Sequence, residues 1–442
     1  MALSGLAPAV VASTRFGFAA KPGELDLIAR DPRGWALAQL RGAAAPLPGN
    51  LPPASRMVAL MLEARRDKGA DKKEFNTQMR DVYLAEIEAR IRQAAQTDAT
   101  FTERLVHFWS NHFTVSAFRP FVRGFAAAFE REAIRPYVGG RFADMLLAAE
   151  SHPAMLLYLD NAESIGPDSI GGIRRGKGIN ENLGREILEL HTLGVDGGYT
   201  QHDVEALARI LTGWSIARLQ DPQVGSFRFW PQIHEPGPKV LLGRTYPEDG
   251  QREGEKALRD LASHPATARH VAVKLARHFI ADEPPHDDVE RIAKVFRDTG
   301  GDLRAVHTAV VETKDSWYKP FAKYRTPDDL VVSACRVAGF TPEAPMLVQS
   351  LKNLDQMPFY APSPAGWPDA AAAWVSPESV LKRAEWCGNF AARIPNPPDP
   401  AQLADAVLGE AMPAETLEAI RRAPSRRDGL ALLFAAPEFQ KR

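Results

Sequence analysis

Apolar residues recur at helical spacing along most of the chain. Between residues 97 and 113, Phe101, Leu105, Phe108 and His112 follow one another at i, i+4, i+7 and i+11, which places them on one face of a helix. The same kind of spacing predicts further helices over residues 71–96, 118–137, 265–280, 287–297, 302–311, 327–337, 377–390 and 413–422. Many of these segments carry proline in or near the first turn, where its missing N–H costs no hydrogen bond. The pattern therefore predicts a mainly α fold.

Residues 227–246 are the main exception to the helical pattern. Phe227 and Phe229 alternate with polar residues, a run of proline and glycine follows, and Val240 begins a second short apolar run. This order predicts one short β-hairpin inserted between helices. Strand and helix patterns do not alternate elsewhere, so we expect no parallel α/β sheet. The expected architecture is a compact multi-helical single domain over residues 1–442.

Two segments are predicted to be long loops. Residues 161–178 are rich in glycine and basic side chains, and residues 356–374 are rich in proline, glycine and aromatic side chains. Loops of this length inside a compact domain are often functional. In the second loop, Trp367 and Trp374 could wall a cleft that stacks on sugars, or the loop could be a rigid one packed on the surface.

Composition and charge narrow the class of protein. Apolar residues make up 45% of the 442 residues and charged residues 25%, which excludes coiled-coil, collagen-like and disordered composition. The formal net charge of −1 provides no overall field that would favour nucleic acid. The chain contains no run of about 18 apolar residues, so we expect no membrane span.

The cysteines and the N-terminal residues bear on location. Cys335 and Cys387 form no C-x-x-C motif, and buried free thiols are expected over a single bridge. Residues 1–13 are apolar but lack a basic region and a clear cleavage site, so no signal peptide is predicted. We therefore expect a cytoplasmic protein.

The segment 174–214 holds the densest set of polar residues. Its pattern predicts a basic loop, a helix that Asn180 caps, a glycine stop at Gly194, and a second helix that begins near Thr200. The polar residues that border the apolar stripe of the first helix are Asn182, Glu186 and Glu189 on one flank and Asn180 and His191 on the other.

Carboxylates beside an apolar stripe are seldom placed there without partners. Glu186 and Glu189 are therefore candidates for a partly buried polar centre, which His112 would join from another helix. Arg185 lies four residues from both Glu181 and Glu189 and can pair with either. The alternative interpretation is a charge-laced helix whose polar groups satisfy one another.

The basic loop before this helix has its own candidate chemistry. Arg174, Arg175 and Lys177 lie among glycines just ahead of a predicted helix N-terminus. Backbone N–H groups, the helix dipole and the guanidinium groups would all favour an anion there. The segment does not match the phosphate-loop pattern. The alternative is a mobile basic loop.

Residues 107–112 form a second dense motif. His107 and Asn111 lie one helical turn apart, whereas His112 continues an apolar face, where it is either a core histidine or a ligand. His234 adds another imidazole next to a carboxylate. Because the chain has no H-E-x-x-H motif, a metal site would need ligands gathered from distant segments, and we predict none.

These residues resemble those of a bacterial family catalogued only as domain of unknown function eighteen hundred. The resemblance covers essentially the whole chain and is most specific over residues 180–199. It includes residues 15–18, 108–116, 180–214, 227–243, 264–284, 323–327 and 358–368. It implies a mainly helical fold but no established activity. It also implies a genomic neighbour that resembles sulfatases and alkaline phosphatases and carries a twin-arginine signal.

The first functional hypothesis is a carbohydrate-processing hydrolase that uses no cofactor. Glu186 and Glu189 would serve as general acid and as base or electrostatic stabiliser, and Asp203 or His191 could supply the second group instead. The residues expected to contact a sugar or an anionic ligand are Asn111, His112, Arg174, Arg175, Lys177, Asn180, Asn182, Arg185, Tyr199, His234 and Trp367.

The second hypothesis is a non-enzymatic binding or maturation partner of the neighbouring sulfatase- or phosphatase-like protein. The polar groups would then hold loops in place, and a broad surface would dock the partner. A folded chain without its own signal could be co-exported to the periplasm while bound to a partner that carries the twin-arginine signal.

Overall fold

Helices dominate the computed structural model, which describes residues 6–67, 72–318 and 320–442. Within these ranges, strands are confined to four segments of three residues. The mainly α fold expected from the periodicity is confirmed. Residues 1–5 of the expected N-terminal segment and Asp71, the expected start of a helix, lie outside the described residues.

The first part of the chain folds as helices α1 to α9. Their bounds are α1 Leu6–Val11, α2 Glu24–Arg30, α3 Pro32–Gln39, α4 Ala54–Arg66, α5 Lys72–Gln96, α6 Thr100–His112, α7 Ala126–Phe129, α8 Phe142–Glu150 and α9 Pro153–Tyr158. Two π turns, Ala12–Phe16 and Glu130–Ile134, directly continue α1 and α7. Helix α6 carries the predicted apolar face, since Phe101, Leu105 and Phe108 are buried on it.

The middle of the chain holds the strands and helices α10 to α17. The helix bounds are α10 Ile170–Arg175, α11 Asn182–Glu186, α12 Gln201–Ile210, α13 Gln251–Ala262, α14 Pro265–Phe279, α15 His286–Asp298, α16 Leu303–Glu312 and α17 Asp315–Tyr318. A π turn, Ile187–His191, continues α11. The predicted loop 161–178 is therefore interrupted, because it contains α10 and the 3-10 turn Asn161–Glu163.

The strands form two separate antiparallel pairs. Strand β1, Trp214–Ile216, pairs with β2, Phe227–Phe229, and β3, Lys239–Leu241, pairs with β4, Arg244–Tyr246. This corrects the single hairpin expected over residues 227–246. The tight turn lies instead at Leu242 and Gly243, which both have positive φ (49° and 73°), as a two-residue hairpin turn requires.

The last part of the chain folds as helices α18 to α24. Their bounds are α18 Pro327–Ala338, α19 Ala344–Asn353, α20 Pro377–Ala391, α21 Pro400–Leu408, α22 Ala414–Arg421, α23 Arg426–Ala435 and α24 Pro437–Gln440. Helix α18 starts sharply because Thr326 caps it and Pro327 occupies the first turn. Residues 356–374 have no regular structure except the 3-10 turn Ala371–Ala373, as the proline and glycine content indicates.

Two clusters of buried apolar side chains form the core. One is built from residues between Phe16 and Val311, and the other combines residues from 9–28 and 83–95 with residues from 330–439. Phe359 and Tyr360 pack against both clusters. The proline- and aromatic-rich loop therefore lies where the two clusters meet.

Both cysteines lie in the second cluster. Cys335 and Cys387 are buried and free, and burial raises the pKa of each thiol to about 12. The expected free thiols are confirmed. In the described part of the chain, every helix is too short or too polar to cross a bilayer.

The histidine of α16 gives the first core a dependence on pH. Trp109 Nε1 donates a hydrogen bond to His307 Nε2 over 3.1 Å, and both side chains are buried. Burial lowers the pKa of His307 to about 3. The unfolded chain therefore binds a proton at this residue below about pH 6.5, whereas the folded chain does not until about pH 3.

We predict that this histidine lowers the free energy of unfolding by about 2–3 kcal/mol as the pH falls from 6.5 to 4.5. His307→Gln keeps an acceptor for Trp109 but does not titrate. Urea unfolding at both pH values should show a smaller loss in the variant by that amount. Equal losses in the two proteins would contradict the assignment.

Candidate functional site

A cavity of about 250 Å³ lies between the two core clusters. We call it the central cleft. Its walls come from α6, α14, the start of α18 and the loop 356–369. The apolar part of its lining includes Phe108 and Phe359, and most of the remaining side chains are polar or charged.

Asp329 is the most heavily paired carboxylate of the cleft. It accepts hydrogen bonds from Arg104 (2.8 and 3.1 Å) and Arg325 (2.9 Å), and Arg442 Nε lies 3.0 Å from its Oδ2. Burial acts to raise the pKa of Asp329, but the three guanidinium groups outweigh it and hold that pKa well below its usual range. The carboxylate is therefore ionised at neutral pH and is fixed in place.

His107 is oriented by the neighbouring carboxylate. Its Nδ1 lies 3.0 Å from Asp328 Oδ2, and Arg90 pairs with both Asp328 and Glu130. Because an ionised carboxylate can only accept, His107 Nδ1 carries the proton. Its Nε2 is buried and has no hydrogen-bond partner among the described residues.

His278 repeats this arrangement on α14. Its Nδ1 lies 2.7 Å from Asp369 Oδ2, and its Nε2 is buried without a hydrogen-bond partner in the described ranges. Burial lowers the pKa of His278 to about 4, although Asp369 opposes the shift. Lys274, one turn earlier on the same helix, is also desolvated, which lowers its pKa to about 8. At neutral pH the cleft thus holds a neutral imidazole next to an ammonium group.

Three of the residues predicted from the sequence line the cleft. They are Asn111, His112 and Trp367. Asn111 Nδ2 donates to Trp367 O over 2.9 Å, and Trp367 N donates to Asn111 Oδ1 over 2.7 Å. This pair of hydrogen bonds fastens the loop 356–374 to the end of α6. His112 donates from Nε2 to His191 O over 3.1 Å, and burial holds the pKa of His112 well below its usual value.

A second group of predicted residues lies on the other side of His112. His191 is fully buried, and its Nδ1 lies 2.8 Å from Glu150 Oε1. Glu186 is half-buried, and burial raises its pKa with a further contribution from Glu189. Tyr199 donates a long hydrogen bond of 3.5 Å to Glu189. The structure thus brings Glu186, Glu189 and His191 near one another, but none of the three lines the central cleft.

A π turn explains why the regular helical period misplaced His191. Residues 182–191 continue from α11 into Ile187–His191, where the extra residue per turn shifts the phase of the side chains. His191 therefore turns into the core rather than onto a flank. Arg185 pairs with Glu181 and with Gln201, both at 2.9 Å, and not with Glu189.

Asp203 and His234 have structural partners. Asp203 Oδ2 accepts from Thr200 in a capping box, and its Oδ1 accepts from Leu242 N over 2.7 Å. His234 Nδ1 lies 2.8 Å from Thr212 O, and His234 Nε2 lies 3.1 Å from Glu253 Oε2. Neither lines the central cleft, so we leave both out of the proposed site.

The basic loop is exposed. Arg174 and Arg175 end α10, and Lys177 follows it. The next helix begins at Asn182 and its N-cap is Glu181 rather than Asn180, although Asn180 Oδ1 accepts from Asn182 N over 2.9 Å. Anion binding by this loop stays a prediction.

Most charged residues of the cleft were missed from the sequence. They are Arg90, Arg104, Lys274, Arg277, His278, Asp328, Asp329, Asp369 and Arg442. One signal was available on α14, where Lys274 and His278 directly precede the buried Leu275 and Phe279 and so border the apolar stripe. Asp328 and Asp329 follow Pro327, and acidic residues are common in the first turn of a helix, so they did not stand out in the sequence.

The sequence pattern of a family described as "Protein of unknown function (DUF1800)" matches residues 11–441. No curated protein and no solved structure matches the chain. Within the described ranges, no three or more His, Cys, Asp or Glu side chains are grouped so that they could hold a metal ion. Docking to a sulfatase- or phosphatase-like partner and the expected location stay predictions.

We predict that Glu186→Gln leaves the free energy of unfolding at pH 7 unchanged or slightly higher. Glu186 has no hydrogen bond or ion pair with another described residue, and its burial disfavours the charged form. As a matched control, Asp203→Asn should cost about 1–2 kcal/mol because it breaks the capping box. A loss of about 3 kcal/mol or more for Glu186→Gln, the size seen when a buried ion pair loses one member, would contradict this account.

Proposed function

Since this chain belongs to the DUF1800 family, whose members are described only as proteins of unknown function, we propose from the cleft itself that it is a hydrolase. The proposed active site is the central cleft, and the proposed substrate is a small ester. His278 is the general base that activates water, and Asp369 orients it.

The geometry of His278 carries this proposal. Asp369 fixes the proton on Nδ1, so Nε2, which is buried and has no hydrogen-bond partner among the described residues, keeps its lone pair. The side chain of His278 is part of the cavity wall. A carboxylate that holds one imidazole nitrogen while the other faces the reacting atoms is the arrangement of a general base. Burial lowers the pKa of His278 to about 4, so the imidazole is neutral at neutral pH, and Asp369 opposes this shift and so strengthens the base.

The proposed step balances without a further reactant. A water oxygen attacks the ester carbonyl carbon while its proton passes to His278 Nε2, and Asp369 stabilises the imidazolium that forms. When the tetrahedral intermediate collapses, the carbon–oxygen bond to the alcohol breaks. The imidazolium then returns the proton to the departing alkoxide.

The state of the cleft carboxylates favours esters over glycosides. Glycoside hydrolysis needs one carboxylic acid that stays protonated near neutral pH. Burial alone would raise the pKa of Asp328 and of Asp369, but Arg90 and His107 beside the first and His278 beside the second hold both well below their usual range. The carbohydrate hydrolase expected from Glu186 and Glu189 would have to act outside this cleft.

The size of the cleft sets the size of the substrate. About 250 Å³ lies just below the range of cavities that hold drug-sized ligands. Trp367 and Phe359 supply apolar wall on the side of the loop. A small ester with a flat or apolar part therefore fits better than a polymer.

We predict that the protein hydrolyses p-nitrophenyl esters of short acids and that His278→Gln lowers kcat/KM by about a hundredfold or more. Asp369→Asn should also lower kcat/KM strongly, because the asparagine amide can donate to Nδ1 and so move the proton of His278 to Nε2, where it occupies the lone pair that the base needs. The matched control is His107→Gln, which removes the other carboxylate-oriented histidine of the cleft.

Two results would contradict the proposal. One is an absence of turnover by the wild-type protein across p-nitrophenyl acetate, butyrate and octanoate. The other is a loss confined to His107→Gln, which would assign the base to His107. Imidazole ¹⁵N resonances provide a substrate-free check, because His278 should carry its proton on Nδ1 and begin to titrate only near pH 4.

A further inference from the structure

The central cleft carries more positive than negative charge. Five cationic side chains line it, against three carboxylates. The cationic side chains are Arg90, Arg104, Lys274, Arg277 and Arg442. Glu130 pairs with Arg90 of this lining and Arg325 pairs with Asp329, so adding these two residues leaves the same excess of two cations. Excess charge of one sign in a poorly hydrated cavity favours a ligand of the opposite sign.

The excess can be assigned to particular residues. Arg90 pairs with Asp328 and Glu130, and Arg104 forms a two-pronged pair with Asp329. Lys274, in contrast, has no hydrogen bond and no carboxylate within ion-pair distance among the described residues, although it lies in the cleft wall. Arg277 also has no ion pair among the described residues, but it is exposed and donates to Asp282 O over 3.2 Å. The ammonium group of Lys274 is therefore the cation of the cleft wall that has neither a counter-charge nor a hydrogen bond among the described residues.

Arg442 adds a second unsatisfied donor to the same cavity. Its side chain is 1% exposed, and its Nη1 has no hydrogen-bond partner in the described part of the chain. Buried guanidinium nitrogens are rarely left unpaired, because a desolvated donor without an acceptor is costly. An acceptor that enters the cleft would remove that cost.

Helix α14 presents its polar groups to the cleft as one face. Lys274, Arg277 and His278 follow at i, i+3 and i+4, and all three line the cavity. The cation that lacks a partner and the proposed general base therefore lie side by side. A group held at Lys274 would belong to the same molecule as the ester carbonyl that the water activated by His278 attacks.

We propose that Lys274 binds an anionic group of the substrate, a carboxylate, phosphate or sulfate, and that Arg442 adds to its charge. This inference rests on the proposed function for the statement that the bound molecule is a substrate. It narrows the substrate class to small esters that carry a negative charge.

The test is isothermal titration calorimetry at pH 7 with sodium sulfate, sodium phosphate and sodium acetate, at an ionic strength matched with sodium chloride. The wild-type protein should bind at least one of these anions with one site. Lys274→Met, which keeps the volume and removes the charge, should weaken binding by about tenfold or more. The sulfate and phosphate titrations against the acetate titration separate a tetrahedral anionic group from a carboxylate.

Two further variants keep the proposal falsifiable. Lys274→Arg preserves the charge, so its affinity for the anion should stay within a few-fold of that of the wild-type protein. Retained affinity in this variant would assign the loss in Lys274→Met to the missing charge and not to a folding defect. Lys177→Met is the matched control, because Lys177 is an exposed lysine of the basic loop. A loss of affinity in Lys177→Met with none in Lys274→Met would place the anion on that loop and overturn the inference.

The same titrations separate the two proposals. Ester hydrolysis without binding of any of the three anions would overturn the anion site and leave the hydrolase standing. Anion binding that depends on Lys274, in a protein that hydrolyses no p-nitrophenyl ester, would support the site and contradict the hydrolase.

Discussion

Asp329 is buried almost completely and is contacted by three guanidinium groups, those of Arg104, Arg325 and Arg442. A buried carboxylate of this kind is costly to desolvate and is retained only with its partners. The same Arg104 also donates to Gly17 O, so the contact joins the N-terminal residues, α6 and the start of α18. This ion cluster therefore links elements that carry the two core clusters.

The same contacts keep a cavity at the junction. Ionised side chains would lose hydrogen bonds if they packed against apolar side chains, so the polar cavity between the two clusters stays open. The loop 356–374 is fastened over it by several hydrogen bonds, among them those of Asn111 with the backbone of Trp367 and that of Lys323 with Asp369 O over 2.9 Å. The base that we propose, His278, is consequently oriented before any ligand binds.

Features that depend on neighbouring residues could be predicted from the sequence, whereas contacts between residues far apart along the chain could not. Helices such as α6 and α14 were predictable because their apolar stripes and caps are local, and Asn111, His112 and Trp367 were placed in the candidate site from nearby motifs. Asp369 and Arg442 were not, since their partners His278 and Asp329 lie far away along the chain. The prediction for the helix that contains His191 missed the burial of that side chain, because a π turn breaks the 3.6-residue period.

The most direct test of this account is the free energy of unfolding of Asp329→Asn, measured with urea at pH 7. The account predicts a loss of about 3–5 kcal/mol, because three guanidinium groups lose a buried counter-charge. Asp355→Asn, which removes an exposed partner of Lys382, is the matched control and should cost less than about 1 kcal/mol. A loss for Asp329→Asn as small as that of the control would contradict the claim that this ion cluster holds the fold and the cleft together.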